Sequence, residues 1–126
     1  MKVFSFKQRI QAWSWLFKIG FYASLCVGCY MAFSPVDGGI QTKFNDKLLH
    51  AVGFFVMAFS SQLAHPRTRF IFLFIGLSSF GLMVELIQAY LPYRSFSIWD
   101  LGADMLGLAL YFSFFGHFLK DKSLPD

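Results

Sequence analysis

The chain has 126 residues, with 11 Lys and Arg against 7 Asp and Glu, 56% hydrophobic residues and 21% aromatics, and it contains 18 Phe. Charged residues make up 14%, against roughly 25% in ordinary soluble domains, too few to cover a water-soluble globule of this size. That composition excludes a soluble enzyme and points to a protein solvated by lipid.

The charges are clustered as well as scarce. Residues 19–36, 48–66, 70–84 and 105–119 contain no Lys, Arg, Asp or Glu, and four such runs predict four membrane-crossing helices. The predicted fold is all-α: a single transmembrane domain over residues 1–126, an integral membrane four-helix bundle with spans near 12–33, 47–65, 70–90 and 100–119. Lys2, Lys7, Arg9 and Lys18 precede the first span, Arg67 and Arg69 separate the second from the third, and Lys120 and Lys122 follow the fourth. Only Lys43, Lys47 and Arg94 fall in the other two connections. This asymmetry predicts both termini on the cytoplasmic side, so the basic excess is an orientation signal and implies no nucleic-acid partner. Membrane lipids are the expected partners, anionic ones at the N-terminal charges.

The first span is expected to begin near Gln11, with a surface helix over 1–18 as the alternative. Ala32-Phe33-Ser34 makes no good signal cleavage site, so the segment is expected to stay. Gly20, Ser24 and Gly28 recur every fourth residue, a small-residue stripe expected to face another helix. Cys26 and Cys29 lie in the apolar helix without basic neighbours and read as packing residues rather than redox or metal groups.

The second span carries Asp46, His50, Gly53, Met57 and Ser60 on one helical face, the third Ser78, Gly81, Glu85 and Gln88, the fourth Asp100, Asp104, Gly107 and Tyr111. Lipid cannot solvate carboxylates, amides or imidazoles, so these three stripes are predicted to face one another. With the N-terminus inside, their polar residues converge at the outer membrane face. His50, Glu85 and Asp104 sit roughly 6 to 9 Å below their helix ends at 1.5 Å per residue. Tyr30, Tyr90, Tyr93 and Trp99 supply an outer aromatic belt, Trp13 and Trp15 an inner one. His65 and His117 lie at the inner ends and are assigned no role.

Asn45-Asp46-Lys47-Leu48-Leu49-His50 opening a membrane helix, followed by Glu85-x-x-Gln88, Pro92-Tyr93-Arg94, Asp100 and Gly107, resembles the VanZ-like family over about residues 44–107. The family comprises small integral membrane proteins or domains of bacteria and is named after a protein associated with teicoplanin resistance. The resemblance implies a multi-pass protein of the bacterial cytoplasmic membrane. Asp104 departs from it, since the family usually has Asn there, and adds a negative charge to the site.

Candidate ligand-binding residues are Asp46, Lys47, His50, Glu85, Gln88, Arg94, Asp100 and Asp104. Arg94 and Lys47 would take a phosphate or carboxylate, and the acids and Gln88 would take hydroxyls or amines. The expected function is to bind or modulate a lipid-linked or lipid-tailed molecule of the cell envelope. A second reading is a polar clasp in a membrane scaffold, in which Arg94 folds onto Glu85 or Asp100 and these three act as a coupled unit. A third is enzymatic. Arg94-x5-Asp100-x3-Asp104 echoes the Arg-x5-His-x3-Asp spacing of membrane lipid phosphatases, with Asp in place of the nucleophilic His. A metal-dependent hydrolase would instead use His50 with Asp46, Glu85 or Asp100. No nucleophile set or metal-ligand spacing is recognisable, so binding is preferred to catalysis, and no metal or cofactor is expected. The sequence says nothing of oligomeric state.

Overall fold

A computed structural model describes residues 5–35 and 43–119. Lys2, Lys120 and Lys122, part of the orientation argument, lie outside the described residues. Among the described residues every regular element is a helix: α1 (Phe6–Ala12), α2 (Ser14–Phe33), α3 (Lys43–Ala64), α4 (Phe70–Gln88), α5 (Ile98–Phe114) and α6 (Gly116–Leu119). α2, α3, α4 and α5 are helices over the four segments where apolar helices were expected, with most ends within a few residues.

Two ends differ for local reasons. The Gln8 N–H donates to Ser5 Oγ at 3.4 Å and the Ser5 N–H donates to Gln8 Oε1 at 2.9 Å. This reciprocal cap starts a separate short helix ahead of α2, which itself begins at Ser14 after a break at Trp13 (φ −98, ψ 7). The helix expected over 100–119 breaks at Phe115, so that α5 ends at Phe114. The Gly116 carbonyl at that break accepts from Gln62 Nε2 of α3 at 2.9 Å.

α3 is the central helix, packing most extensively against α5, then α2, and also against α4. The buried core joins Phe21 of α2, Phe54, Ala58 and Ala64 of α3, Leu77 of α4, and Leu108, Tyr111 and Phe112 of α5. Much of it is aromatic, with Tyr111 edge-on to Phe55 and Phe112 at centroid distances of 5.4 and 5.1 Å. The polar stripes of α4 and α5 face inward as predicted: Gly81, Glu85, Gln88, Asp100, Asp104, Gly107 and Tyr111 are all buried.

On α2 and α3 the predicted faces need correction. Gly20 is exposed and a Cβ there would touch nothing within 4 Å, whereas a Cβ at Gly28 would lie 2.9 Å from Met57 Cε. Phe21 is the buried residue of α2, so a bulky side chain fills the interface and only the end of the small-residue stripe permits close approach. On α3 the buried line below His50 runs through Phe54, Ala58 and Ser61, not Gly53, Met57 and Ser60. A helix with partners on three sides has no single inward stripe, so spacing alone places its inner face one position off.

Gln62 and Tyr111 form a buried polar link that residue spacing alone does not predict. Tyr111 Oη donates to Gln62 Oε1 at 2.6 Å. Tyr111→Phe is expected to destabilise the fold by about 0.6–1.7 kcal/mol, the range for side-chain hydrogen bonds between membrane helices. Reversible unfolding in mixed micelles measures it. A change near zero would show that Gln62 finds another donor.

The outer surfaces are apolar. Leu48, Leu49, Val52, Val56 and Phe59 are exposed along α3, and Ile71, Phe72, Ile75, Leu82, Met83 and Leu86 along α4. Among the described residues, three helices are long and apolar enough to cross a membrane: Ser14–Phe33, Asn45–Ala64 and Phe70–Gln88. The six tyrosines and tryptophans assigned to the aromatic belts are exposed. α5 has 17 residues, roughly 25 Å at 1.5 Å per residue, short of a hydrocarbon layer of about 30 Å.

Candidate functional site

The start of α3, the end of α4 and the start of α5 meet at one end of the bundle, and their polar side chains come together there. Asp46 lies in the first turn of α3, where an acid is favoured by the helix dipole. One residue on, Lys47 Nζ donates to Asp100 Oδ1 of α5 at 2.9 Å. One turn deeper, His50 Nδ1 lies 2.8 Å from Asp104 Oδ1, again joining α3 to α5. The two pairs are stacked because positions 46/47 and 50 on α3, and 100 and 104 on α5, are each about one helical turn apart.

Glu85 of α4 closes the floor. It is 0% exposed and Asp104 is 1% exposed, whereas the side chains of Lys47 and His50 remain 38% and 19% exposed. The site therefore has a sealed acidic interior and an accessible rim. Glu85 Oε2 accepts the Ser97 backbone N–H at 2.9 Å, and Glu85 Oε1 has no hydrogen-bond partner.

Ser97 is a site residue outside the eight candidates. It caps α5, with its Oγ accepting the Asp100 N–H at 3.2 Å while its own N–H holds Glu85. The signal was present in Ser97-Ile98-Trp99-Asp100, a capping residue three positions ahead of an acid.

Gly81 and Gly107 let this site form. A Cβ at Gly81 would lie 3.0 Å from Asp104 Oδ2 and 3.1 Å from the Phe54 ring. A Cβ at Gly107 would overlap the Ala51 carbonyl oxygen and come within 3.1 Å of the Phe55 nitrogen. Here α5 lies directly against the backbone of α3.

Gln88 and Arg94, two of the eight candidates, do not join the carboxylates. Arg94 Nη2 donates to the Met31 and Ser34 carbonyls at 3.0 and 2.9 Å, and its Nε donates to Ser34 at 3.2 Å. Gln88 Nε2 donates to the Ala32 carbonyl at 2.9 Å and Tyr93 Oη to the Phe33 carbonyl at 2.7 Å. Residues 31–34 are the four whose carbonyls a helix ending at Phe33 leaves without intrahelical donors, and α2 has no basic residue in its own last turn. Three side chains from the end of α4 and the connection after it thus satisfy all four, and a cation sits where the helix dipole favours one. The expected ion pair from Arg94 to Glu85 or Asp100 is corrected accordingly. Among the described residues Lys47 forms an ion pair with Asp100, and His50 contacts Asp104 as an ion pair only when its imidazole is protonated. The Arg94-x5-Asp100-x3-Asp104 spacing consequently does not assemble as a phosphatase-like group. An open cleft of about 420 Å³ beside this clamp is lined by Gln88, Pro92, Tyr93, Arg94 and Ser95.

His65, assigned no role, also has one. Its Nδ1 lies 3.2 Å from the Ser61 carbonyl and its Nε2 3.1 Å from Tyr22 Oη. A proton on Nδ1 satisfies both contacts, and the pair ties α2 to the far end of α3. Cys26 is exposed and Cys29 half-buried, both free thiols, so Cys26 does not serve as the expected packing residue.

No protein-family model matches the chain, and no solved structure matches it. It is similar to a protein of Schizosaccharomyces pombe, "Uncharacterized protein C11E3.10", with 30% identity over 95 residues. The match covers 71% of this chain and 56% of the yeast protein, so the chain spans little more than half the length of that relative.

Proposed function

We propose that the chain is a four-span membrane protein whose acidic site recognises the head group of a lipid-linked or lipid-tailed molecule. The observation that carries this reading is the form of the site: ionisable side chains from three apolar helices converge at one end, sealed below by Glu85 and Asp104 and open at Lys47 and His50. A head group reaches the rim from the interface while its chains lie along the exposed Leu48, Leu49 and Val52 face of α3. The cleft beside Arg94 widens the polar surface at the same end. With Arg94 held by α2, four acids stand against Lys47 and His50, so the site favours amines, hydroxyls or a cation-bridged phosphate over a bare anion.

In this reading α5 is the fourth span, its shortness offset by α6 and by local thinning of the bilayer. Both termini are cytoplasmic and the site faces outward, as the basic asymmetry implies. The VanZ-like resemblance, with the bacterial cytoplasmic membrane and cell-envelope ligand it implies, belongs to the same proposal. With Cys26 and Cys29 replaced by Ser, a cysteine at Tyr93 is expected to react with an impermeant thiol reagent from outside, and one at Thr68 to stay protected. The reverse pattern would overturn the topology and the outward site together.

The polar clasp is the second reading, favoured by the fact that the Lys47–Asp100 and His50–Asp104 pairs join α3 to α5 without a ligand. Native mass spectrometry separates the two, using a polyprenyl phosphate and phosphatidylethanolamine as probes. Head-group recognition predicts one tightly held amphiphile per chain, lost when Lys47→Gln and Asp100→Asn remove the rim pair as a unit, with the fold retained. A wild type that holds neither probe above the level of other lipids would leave the clasp standing.

A further inference from the structure

Two buried carboxylates, Glu85 and Asp104, sit on the floor of the site with one imidazole between them and the rim. Donor atoms of His50, Glu85 and Asp104 all lie within 4.8 Å of one another, and a second set, Asp46, His50 and Asp100, meets the same criterion. His50 belongs to both, so the sets form one continuous cluster. Acidic clusters of this kind are common at protein surfaces. What distinguishes this one is Glu85: it is wholly buried, its Oε2 is occupied by the Ser97 N–H, and its Oε1 has no partner.

An orphaned carboxylate oxygen in an apolar interior is costly, because neither water nor a donor replaces its hydration. Protonation of Glu85 is the competing resolution, since a hydroxyl on Oε1 needs an acceptor and Asp104 is the neighbouring carboxylate. The natural counter-cation would have been Arg94, and the structure gives its guanidinium to the end of α2. Lys47 is held by Asp100 at the rim. A divalent cation meets both needs: it gives the free Glu85 oxygen a partner, and its two charges balance Glu85 and Asp104 beside a neutral imidazole.

The geometry points to a binding site for a divalent transition-metal ion formed by His50, Glu85 and Asp104, with Asp46 and Asp100 at its mouth. One nitrogen and two carboxylate donors suit Zn²⁺ or Mn²⁺, whereas Mg²⁺ and Ca²⁺ prefer all-oxygen sets. Zn²⁺ is the tighter of the two in such a set. The donors come from three helices separated by long apolar stretches, which is why no short ligand spacing announces them. An ion here would explain why Asp104 tolerates complete burial, and it would supply the cation through which a head-group phosphate is bridged. The ion site is assayed without any amphiphile, so its failure and that of the head-group reading are separate results.

The test uses the full chain in uncharged detergent, with Cys26 and Cys29 replaced by Ser and no histidine tag, stripped by chelator and titrated with Zn²⁺ and Mn²⁺. One ion per chain is expected. Glu85→Gln retains an oxygen to accept the Ser97 N–H and should lower Zn²⁺ affinity by more than the roughly 10–100-fold that supporting residues outside the ligand set carry. Asp104→Asn should do the same. Bound Mn²⁺ should show nitrogen coupling in its electron paramagnetic resonance spectrum, abolished by His50→Gln. Absence of a stoichiometric ion overturns the proposal, as does a folded Glu85→Gln protein with wild-type affinity. If both carboxylate variants unfold, the wild-type Mn²⁺ spectrum decides, with nitrogen coupling supporting the site and its absence overturning it. A protonated-carboxyl infrared band that persists at saturating Zn²⁺ and disappears in Glu85→Gln would also overturn it.

Discussion

Gly107→Ala is expected to be the most damaging single-methyl change in the chain. The added Cβ would overlap the Ala51 carbonyl oxygen and crowd Ala51 C and Phe55 N, at 3.0 and 3.1 Å. These are backbone atoms of a helix held on several sides, so they cannot swing away as a side-chain end does. Overpacking generally costs about 1–3 kcal/mol, and this substitution belongs at or above the upper limit, with Gly107→Leu failing to fold. The controls have the opposite sign. At Gly20 and Gly53 a Cβ meets nothing within 4 Å, and replacing a helical Gly by Ala there should stabilise by about 0.5–1 kcal/mol through backbone entropy. Gly81→Ala is intermediate, since its Cβ would press on Asp104 Oδ2 and the Phe54 ring, disturbing the site as well as the packing. Unfolding free energies for the four variants in one micelle system test the order. Equal effects at Gly107 and Gly20 would refute the close approach of α5 to α3.

Arg94→Ala is expected to destabilise by about 1.5–3 kcal/mol, the range for hydrogen bonds to a charged group, by releasing the Met31 and Ser34 carbonyls at the end of α2. Arg94→Lys should recover part of the loss. It keeps a positive charge at the helix C-terminus, worth about 0.3–1 kcal/mol, but a point-charge ammonium lacks the planar fork that spans two carbonyls. The loss should appear as faster amide exchange in the last turn of α2, with α4 and α5 little changed. Arg94 and Glu85 share no partner, so Arg94→Gln and Glu85→Gln should combine additively, within about 0.5 kcal/mol. A larger coupling energy would restore the ion pair suggested by the sequence and remove the clamp on α2.

Much of the helical layout was legible in the sequence because it depends on local chemistry. Charge-free runs reveal apolar helices, and Gly81, Glu85 and Gln88, or Asp100, Asp104, Gly107 and Tyr111, reveal an inner face wherever a helix has one dominant packing side. That rule failed on α3, whose central position buries more than one face, and on most of the α2 stripe, where Phe21 fills the contact. Ser97 was readable as a cap but not as the donor to Glu85, since the cap is local and the bond to α4 is not.

An all-helical chain with lipid-compatible surfaces, and a set of carboxylates and an imidazole at one end, follow from residue order alone. Apolar periodicity and the cost of burying charge leave little alternative. Which charges meet depends on how the helices pack. Eight polar residues within reach of one another admit several pairings of similar chemistry, and the choice follows from helix registers and from where α2 ends. Its four unpaired carbonyls draw Gln88, Tyr93 and Arg94 away from the carboxylates, leaving Glu85 buried with one oxygen unpartnered. A helix terminus in one part of the chain thereby sets the charge balance of a site built by three others, and spacing along the sequence carries no record of that competition.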